Sequence, residues 1–358
     1  MRQRCPAGGP AGEIVVAGHI CVDITPALPA GLTVVPGDLV EVGPVSMTLG
    51  GCVGNTGWDL ADLGAPVRLV AVIADDDLGA FVRTSFENRG LSGDGLATSS
   101  EAGTSYSVIL QPGGADRTIW HYPGANAQFN DSSVELDGAA MLHVGYPPLL
   151  RGLLVDEGLP LLRLFDRAGS AGVTTSLDMA VVDPQSEVGA FDWSALFARV
   201  LPLVDVFSPS VDDLRSALGI AEGYSIGLVE RLAEEFIEAG VAIVAISAGA
   251  EGMYVRTASA ERIASGGQVL GRLSSAWANQ RFWMRPAPVA EAVTTNGAGD
   301  AAAAGLVYGL WLGLEPEETA RLAIACAATL ISGRPTTRDA IATVDEALAA
   351  RVVRRAVV

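Results

Sequence analysis

Lysine is absent from all 358 residues; the 23 positive side chains are all arginine, set against 41 acidic ones, for a formal net charge of −18. A lysine-free chain this acidic has no basic patch to displace counterions from a phosphate backbone, which excludes nucleic acid as a partner. The acid excess reads as solubility rather than as a binding surface. Histidine is scarce. His19, His121 and His143 lie far apart in sequence, so no spacing points to a histidine metal centre or a Ser-His-Asp site. The four cysteines, Cys5, Cys21, Cys52 and Cys326, are equally scattered and read as reduced thiols. No apolar run has membrane-spanning length. The arginines of the leader MRQRCPAGGPAGE lack the apolar stretch of a signal peptide behind them. The expectation is a soluble, cytoplasmic protein without a membrane partner.

What is present is an alternation. Short apolar, β-branched runs at 13–18, 67–74, 140–145, 173–177, 204–207 and 241–247 read as buried strands. Helical patterns at 55–63, 77–89, 149–168 and 226–239 separate them. Strand–helix alternation predicts an α/β fold: a mostly parallel central sheet flanked by helices on both faces. Two segments, 33–49 and 104–123, alternate polar and apolar residues instead, the second around the hairpin signal Pro112-Gly113-Gly114. They read equally as a small separate β lid or as edge strands of the main sheet. Residues 258–288 read as a loop with irregular strands, anchored by Trp277 and Trp283.

The sharpest local signal is Thr294-Thr295-Asn296-Gly297-Ala298-Gly299-Asp300, followed by AAAAGLVYGLWLG. A small-residue turn opening a helix makes an anion site from free backbone N–H groups and the positive end of the helix dipole. Gly297 and Gly299 admit an oxyanion close to the backbone. A carboxylate beside a phosphate site weakens binding unless it has work to do, and accepting a proton from an attacking hydroxyl is such work. The plainer alternative is Asp300 as a helix cap. The turn lacks the Gly-x-Gly-x-x-Gly spacing of a dinucleotide fingerprint, which argues against a dehydrogenase.

This turn resembles the C-terminal signature of the ribokinase-like (PfkB) carbohydrate kinases. Gly50-Gly51-Cys52-Val53-Gly54-Asn55 resembles their first signature, and Pro123-Gly124-Ala125-Asn126-Ala127 a segment that closes their second lid excursion. The resemblance runs from about 13 to 351. It implies one kinase domain over 13–351, with lid segments at about 33–49 and 104–123, a leader at 1–12 and a tail at 352–358. It also implies ATP-dependent phosphorylation of a hydroxyl on a sugar or sugar-like molecule, with Mg²⁺. The resemblance makes Asp300 the base, with the Gly297, Ala298 and Gly299 amides on the phosphates. Asp23, Gly50, Gly51, Asn55 and Tyr146 are implied for the substrate; Asn55 reads alternatively as a helix cap and Tyr146 as a core aromatic. Ser210, Ser247, Gly249, Gly252 and Asn296 are implied for the nucleotide, with 247–252 alternatively a plain turn. Asp213 is implied to influence the metal through water, or else to cap a helix with Ser210. The adenine is expected between 258–288 and the helix near 325–331. Thr294 stands where potassium-activated members carry Asp, so a monovalent cation is left open. Family members often dimerise through the lid, which makes a homodimer the implied assembly. A nucleoside kinase, with Tyr106, Trp120 and Tyr122 stacking the base, and a non-catalytic sugar- or nucleotide-binding regulator are the rival readings.

Overall fold

The computed structural model describes residues 12–33, 35–112 and 117–357. The leader up to residue 11 and the hairpin glycines at 113–114 lie outside them. Thirteen strands are present: β1 (Glu13–Gly18), β2 (Cys21–Pro26), β3 (Val45–Gly50), β4 (Val67–Ala74), β5 (Leu96–Ser99), β6 (Tyr106–Leu110), β7 (Thr118–Tyr122), β8 (Ala139–Gly145), β9 (Thr174–Asp178), β10 (Val206–Phe207), β11 (Ile243–Ser247), β12 (Met253–Thr257) and β13 (Arg281–Met284). Nine form one sheet in the order β13-β12-β11-β10-β9-β8-β1-β4-β5, and four form a second in the order β3-β2-β6-β7. The large sheet is parallel except at β12 and β13, which pair antiparallel at one edge.

The apolar runs became central strands because both of their faces are covered. In β1, Ile14 and Val16 pack into one core and Val15 and Ala17 into another on the opposite side of the sheet. Only a sheet with helices on both faces buries both sets. The second sheet is the separate lid rather than a set of edge strands. It contains β2, which the sequence reading passed over because its Val22 and Ile24 alternate with Asp23 and Thr25 instead of forming an apolar run. Of the first expected lid segment only 45–49 is strand.

Three further expectations change. The helix expected at 149–168 runs Arg151–Ser170 but loses helical geometry at Val155–Gly158, where Asp156, Glu157 and Gly158 have positive φ. The loop expected at 258–288 holds two short helices, Ala260–Ala264 and Gly267–Leu270, a 3₁₀ turn at Ser275–Trp277, and β13. Its anchors are as expected: the buried Trp277 indole donates to the Leu314 carbonyl at 3.0 Å, and Trp283 donates to Glu230 Oε1 at 3.0 Å. The tail continues a helix, Glu346–Val357, with Val352 and Ala356 buried. Among the described residues no helix is long and apolar enough to cross a membrane.

The helix Ala298–Trp311, which begins the anion turn, is buried from Asp300 to Trp311. It lies against the helix Pro316–Ile331 through small residues. A Cβ on Gly305 would come within 2.7 Å of Ala323 Cα and 2.8 Å of the Leu322 carbonyl. Gly305→Ala therefore sets about 1 kcal/mol of helix propensity against about 1–3 kcal/mol of overpacking. Because the obstruction is backbone, packing should win: the variant should unfold at lower denaturant than the parent. A higher midpoint would mean the two helices can separate freely.

Candidate active site

The carboxyl ends of the parallel strands open into a cleft of about 880 Å³, roofed by the lid. Position follows topology here. His19 and Asp23 follow β1, Tyr146 follows β8, Asp178 ends β9, Ser208 follows β10 and Ser247 ends β11. The end of an open parallel sheet is where such folds bind ligands. Asp23, Gly51, Asn55, Tyr146, Ser210, Asp213, Ser247, Gly249, Asn296, Gly297, Ala298, Gly299 and Asp300 all line this space.

Asp300 sits in the first turn of its helix behind Gly297, whose φ of +79° suits glycine. Its side chain makes no cap bond. Oδ2 accepts from Asn55 Nδ2 at 2.9 Å, and Oδ1 accepts from Thr56 Oγ1 at 3.0 Å and the Tyr146 hydroxyl at 2.7 Å. Burial pushes the Asp300 carboxyl above the usual carboxylate range, and these three donors oppose that rise. Both capping alternatives fail on geometry, since the Asn55 side chain also caps no helix. Tyr146 lines the cleft, where it was expected. It is held in the left-handed region at φ +69°, beside the ring of His19, with its hydroxyl on the carboxylate. Thr56 was not anticipated; its position directly after Asn55, at a helix start, was the available signal.

The backbone donors of the turn are unevenly free. The Ala298 N–H donates to the Thr295 carbonyl at 3.3 Å. The first intrahelical bond is that of Ala301, so Gly299 and Asp300 retain N–H groups without an i−4 carbonyl. A Cβ on Gly299 would meet no protein atom within 4 Å. The room there belongs to the cleft.

In the same cleft, Asp23 accepts from Asn296 Nδ2 at 3.3 Å and from the Cys21 thiol at 3.3 Å. This ties Asn296, expected among the nucleotide residues, directly to Asp23. Burial raises the Asp23 carboxyl, and its hydrogen bonds with Cys21, Asn296 and Ser107 counter that. Gly50 does not line the cleft. A Cβ there would meet the Asp23 carboxylate at 2.5 Å, so Gly50 makes room for that side chain. Gly252 is likewise structural: it is buried, and its Cβ would meet the Met284 carbonyl at 2.1 Å. The lid reaches down through Arg117, which donates to Thr295 Oγ1 at 2.9 Å. Asn126 closes the second lid excursion by clamping both backbone groups of Ile20, at 2.7 and 3.3 Å.

Ser210 and Asp213 cap their helix reciprocally, with Asp213 Oδ2 accepting from Ser210 N at 2.8 Å and Ser210 Oγ at 2.6 Å. Asp213 nonetheless faces the cleft, and burial raises it to about 6. Asp178 is raised further, by burial and then by the charges of Asp213 and Asp300. Beside them the buried Ser208 hydroxyl has no hydrogen-bond partner. Buried carboxylates raised by burial and neighbouring acidic charge, next to an unpartnered hydroxyl, fit a hard divalent cation such as Mg²⁺. Neither 258–288 nor 325–331 contributes to the lining. The lid aromatics are misplaced for stacking a base. Register pairs Ser107 with His121 and Ile109 with Ile119 on the cleft face, which leaves Tyr106, Trp120 and Tyr122 on the outer face.

The profile of the pfkB family of carbohydrate kinases matches residues 11–342. An uncharacterized sugar kinase of Archaeoglobus fulgidus is 25% identical over 273 residues, covering 76% of this chain and 94% of that one. The 2-dehydro-3-deoxygluconokinase of Bacillus subtilis is 25% identical over 292 residues, 78% and 79% of the two chains. Among solved structures, Arabidopsis thaliana ribokinase complexed with ribose and ATP superposes with a TM-score of 0.69 at 18% identity, covering 93% of this chain and 98% of that one. A Burkholderia thailandensis nucleoside kinase in complex with inosine superposes with a TM-score of 0.67 at 18% identity, covering 92% and 95%.

Removing the Tyr146 hydroxyl removes one donor that holds the Asp300 carboxyl down. Tyr146→Phe should raise that carboxyl further, so the base is ionised only at higher pH. The acid limb of the pH–rate profile should move upward, with kcat at the acid end falling several-fold and the plateau changing less. An unmoved acid limb would separate Tyr146 from the titration of Asp300.

Proposed function

This chain belongs to the pfkB family of carbohydrate kinases, phosphotransferases that act on a hydroxyl group, and we propose that it transfers the γ-phosphoryl group of ATP to a hydroxyl of a sugar or sugar-like polyol with Asp300 as general base. The observation that carries the reading is the buried Asp300 carboxylate at the N-terminus of its helix, facing a cleft that Asp23 also lines. Asp23 and Asn296 fit hydroxyl recognition, since together they offer acceptors and donors to a polyol. Asp300 accepts the proton of the attacking hydroxyl; its raised carboxyl is closer to neutrality, where a base is most effective. The Gly299 and Asp300 N–H groups and the helix dipole face the charge that develops on the transferring group. Asp178, Asp213 and Ser208 would hold Mg²⁺, whose chemistry is to neutralise phosphate charge. The cleft carries six aspartates, at 23, 178, 183, 212, 213 and 300, and two arginines, so a triphosphate needs such a counter-charge there. A monovalent cation is not needed for this account.

Nucleoside kinases share the fold, but the outward position of Tyr106, Trp120 and Tyr122 removes the stacking platform proposed for a base, and the polyol reading is favoured. A non-catalytic regulator is disfavoured by the three donors organised around Asp300. The cytoplasm is the compartment that supplies ATP. For assembly we propose a homodimer through the outer lid face. Val45 is 58% exposed there, Met47 39%, Trp120 54% and Tyr122 41%. Apolar side chains grouped on one sheet face mark an interaction surface.

Two outcomes are expected. Asp300→Asn should lower kcat by about 10²–10⁴-fold with ATP affinity nearly intact, in a coupled ADP-release assay over pentoses, hexoses, keto-acid sugars and nucleosides. Near-parental turnover removes Asp300 from the role. Light scattering should give the mass of two chains for the parent and shift toward one chain for Trp120→Asp. A monomeric parent ends the lid-dimer reading.

A further inference from the structure

His19, Cys21 and His121 have no metal-site spacing in the sequence, yet they converge at the acceptor end of the cleft. One ligand atom from each lies within 4.8 Å of the other two. The imidazoles face one another through their Nε2 atoms, 3.3 Å apart. Zinc–nitrogen bonds of roughly 2.0–2.1 Å at a tetrahedral angle set two ligand nitrogens roughly 3.4 Å apart. The observed separation is that of two ligands of one ion. The orientation of the lid ring is fixed from behind: His121 Nδ1 is 3.1 Å from Ser107 Oγ, which leaves Nε2 aimed at His19. Such outer hydrogen bonds are how metal-binding imidazoles are held. In the protein alone, the two facing rings satisfy each other with one N–H···N bond, and the buried His19 Nδ1 has no partner.

We propose that His19, Cys21 and His121 bind a borderline-soft divalent cation, Zn²⁺ foremost, that ties the lid to the core across the acceptor site. Two imidazoles and a thiolate select zinc over magnesium, whose preferred ligands are oxygens. Cys21 binds as the thiolate and releases its proton to water. Three protein ligands leave a fourth position open to water or a substrate hydroxyl. His19 follows β1 of the core, Cys21 lies on β2, and His121 lies on β7 at the far edge of the lid sheet. The ion therefore spans β6 and fixes the lid sheet to the loop on which it hinges. Cys21 touches Asp23, so an occupied site competes with whatever Asp23 binds; that clause rests on the proposed function, whereas the metal site itself does not.

Metal-stripped protein titrated with Co²⁺ should develop a thiolate-to-cobalt charge-transfer band that saturates at one equivalent. Added Zn²⁺ should abolish the band and added Mg²⁺ should leave it. Cys21→Ser should lose the band. His121→Ala, at a half-buried lid position, should keep the fold by circular dichroism and weaken Co²⁺ binding at least roughly tenfold. Absence of the band in the parent, or its survival at parental strength in both variants, overturns the site. In the kinase assay Zn²⁺ should raise the acceptor KM of the parent far more than that of His121→Ala. A residue-dependent cobalt band without phosphorylation of any acceptor would leave the site standing and sink the kinase reading; phosphorylation without the band would do the reverse.

Discussion

Everything in the cleft is arranged around one buried carboxylate. Removing Asp300 from water opposes its ionised form, yet the proton-acceptor role proposed for it requires ionisation. The fold resolves the conflict with donors drawn from distant segments. Asn55 and Thr56 come from the turn after β3, Tyr146 from the end of β8, and the helix dipole from the element that carries Asp300 itself. None of these could meet without the parallel sheet, which brings β1, β8 and β9 side by side and stops them at one level. The small-residue crossing of Ala298–Trp311 on Pro316–Ile331 then fixes how far the carboxylate projects.

The acidity of the surroundings imposes a second constraint. Burial raises both Asp178 and Asp213; the charge of Asp213 adds to the first, that of Asp212 to the second, and that of Asp300 to both. A triphosphate entering such a cleft meets repulsion, and no lysine exists to relieve it. The remaining positive groups are backbone N–H dipoles, two arginines at the rim and whatever cation the carboxylates collect. Under the proposed function, electrostatic work that other phosphotransferases assign to a lysine would fall to fixed dipoles and a bound cation.

Much of this was legible in the sequence, for definite reasons. Two-faced burial writes itself as a continuous apolar run, so β1, β4, β8 and β11 stood out. The Gly297–Asp300 turn stood out because small residues before a helix are a backbone requirement. By contrast β2 was hidden because its two faces differ: Val22 and Ile24 pack against the apolar core while Cys21 and Asp23 face the cleft. The bond from the Tyr146 hydroxyl to Asp300 was not legible because nothing local shows that residue 146 would adopt a left-handed backbone and turn toward residue 300. Gly50 and Gly252 were read as ligand-facing, yet each is required by a neighbour within the protein, the Asp23 carboxylate and the Met284 carbonyl. Sequence marks a glycine without saying which atom needs the space.

The lid shows how weak contacts can set a working motion. It touches the core side of the cleft through Arg117 on Thr295 and the facing rings of His19 and His121. Hydrogen bonds of this kind contribute about 0.5–1.5 kcal/mol each. Their sum is small, so the polar closure they form over the cleft is a weak one. The lid turns Ile109 and Ile119 to the cleft and Trp120 and Tyr122 to its outer face. The same weakness makes the lid susceptible to anything that adds a stronger link between His121 and His19, because one coordinate bond across that gap outweighs the polar contacts that otherwise close it.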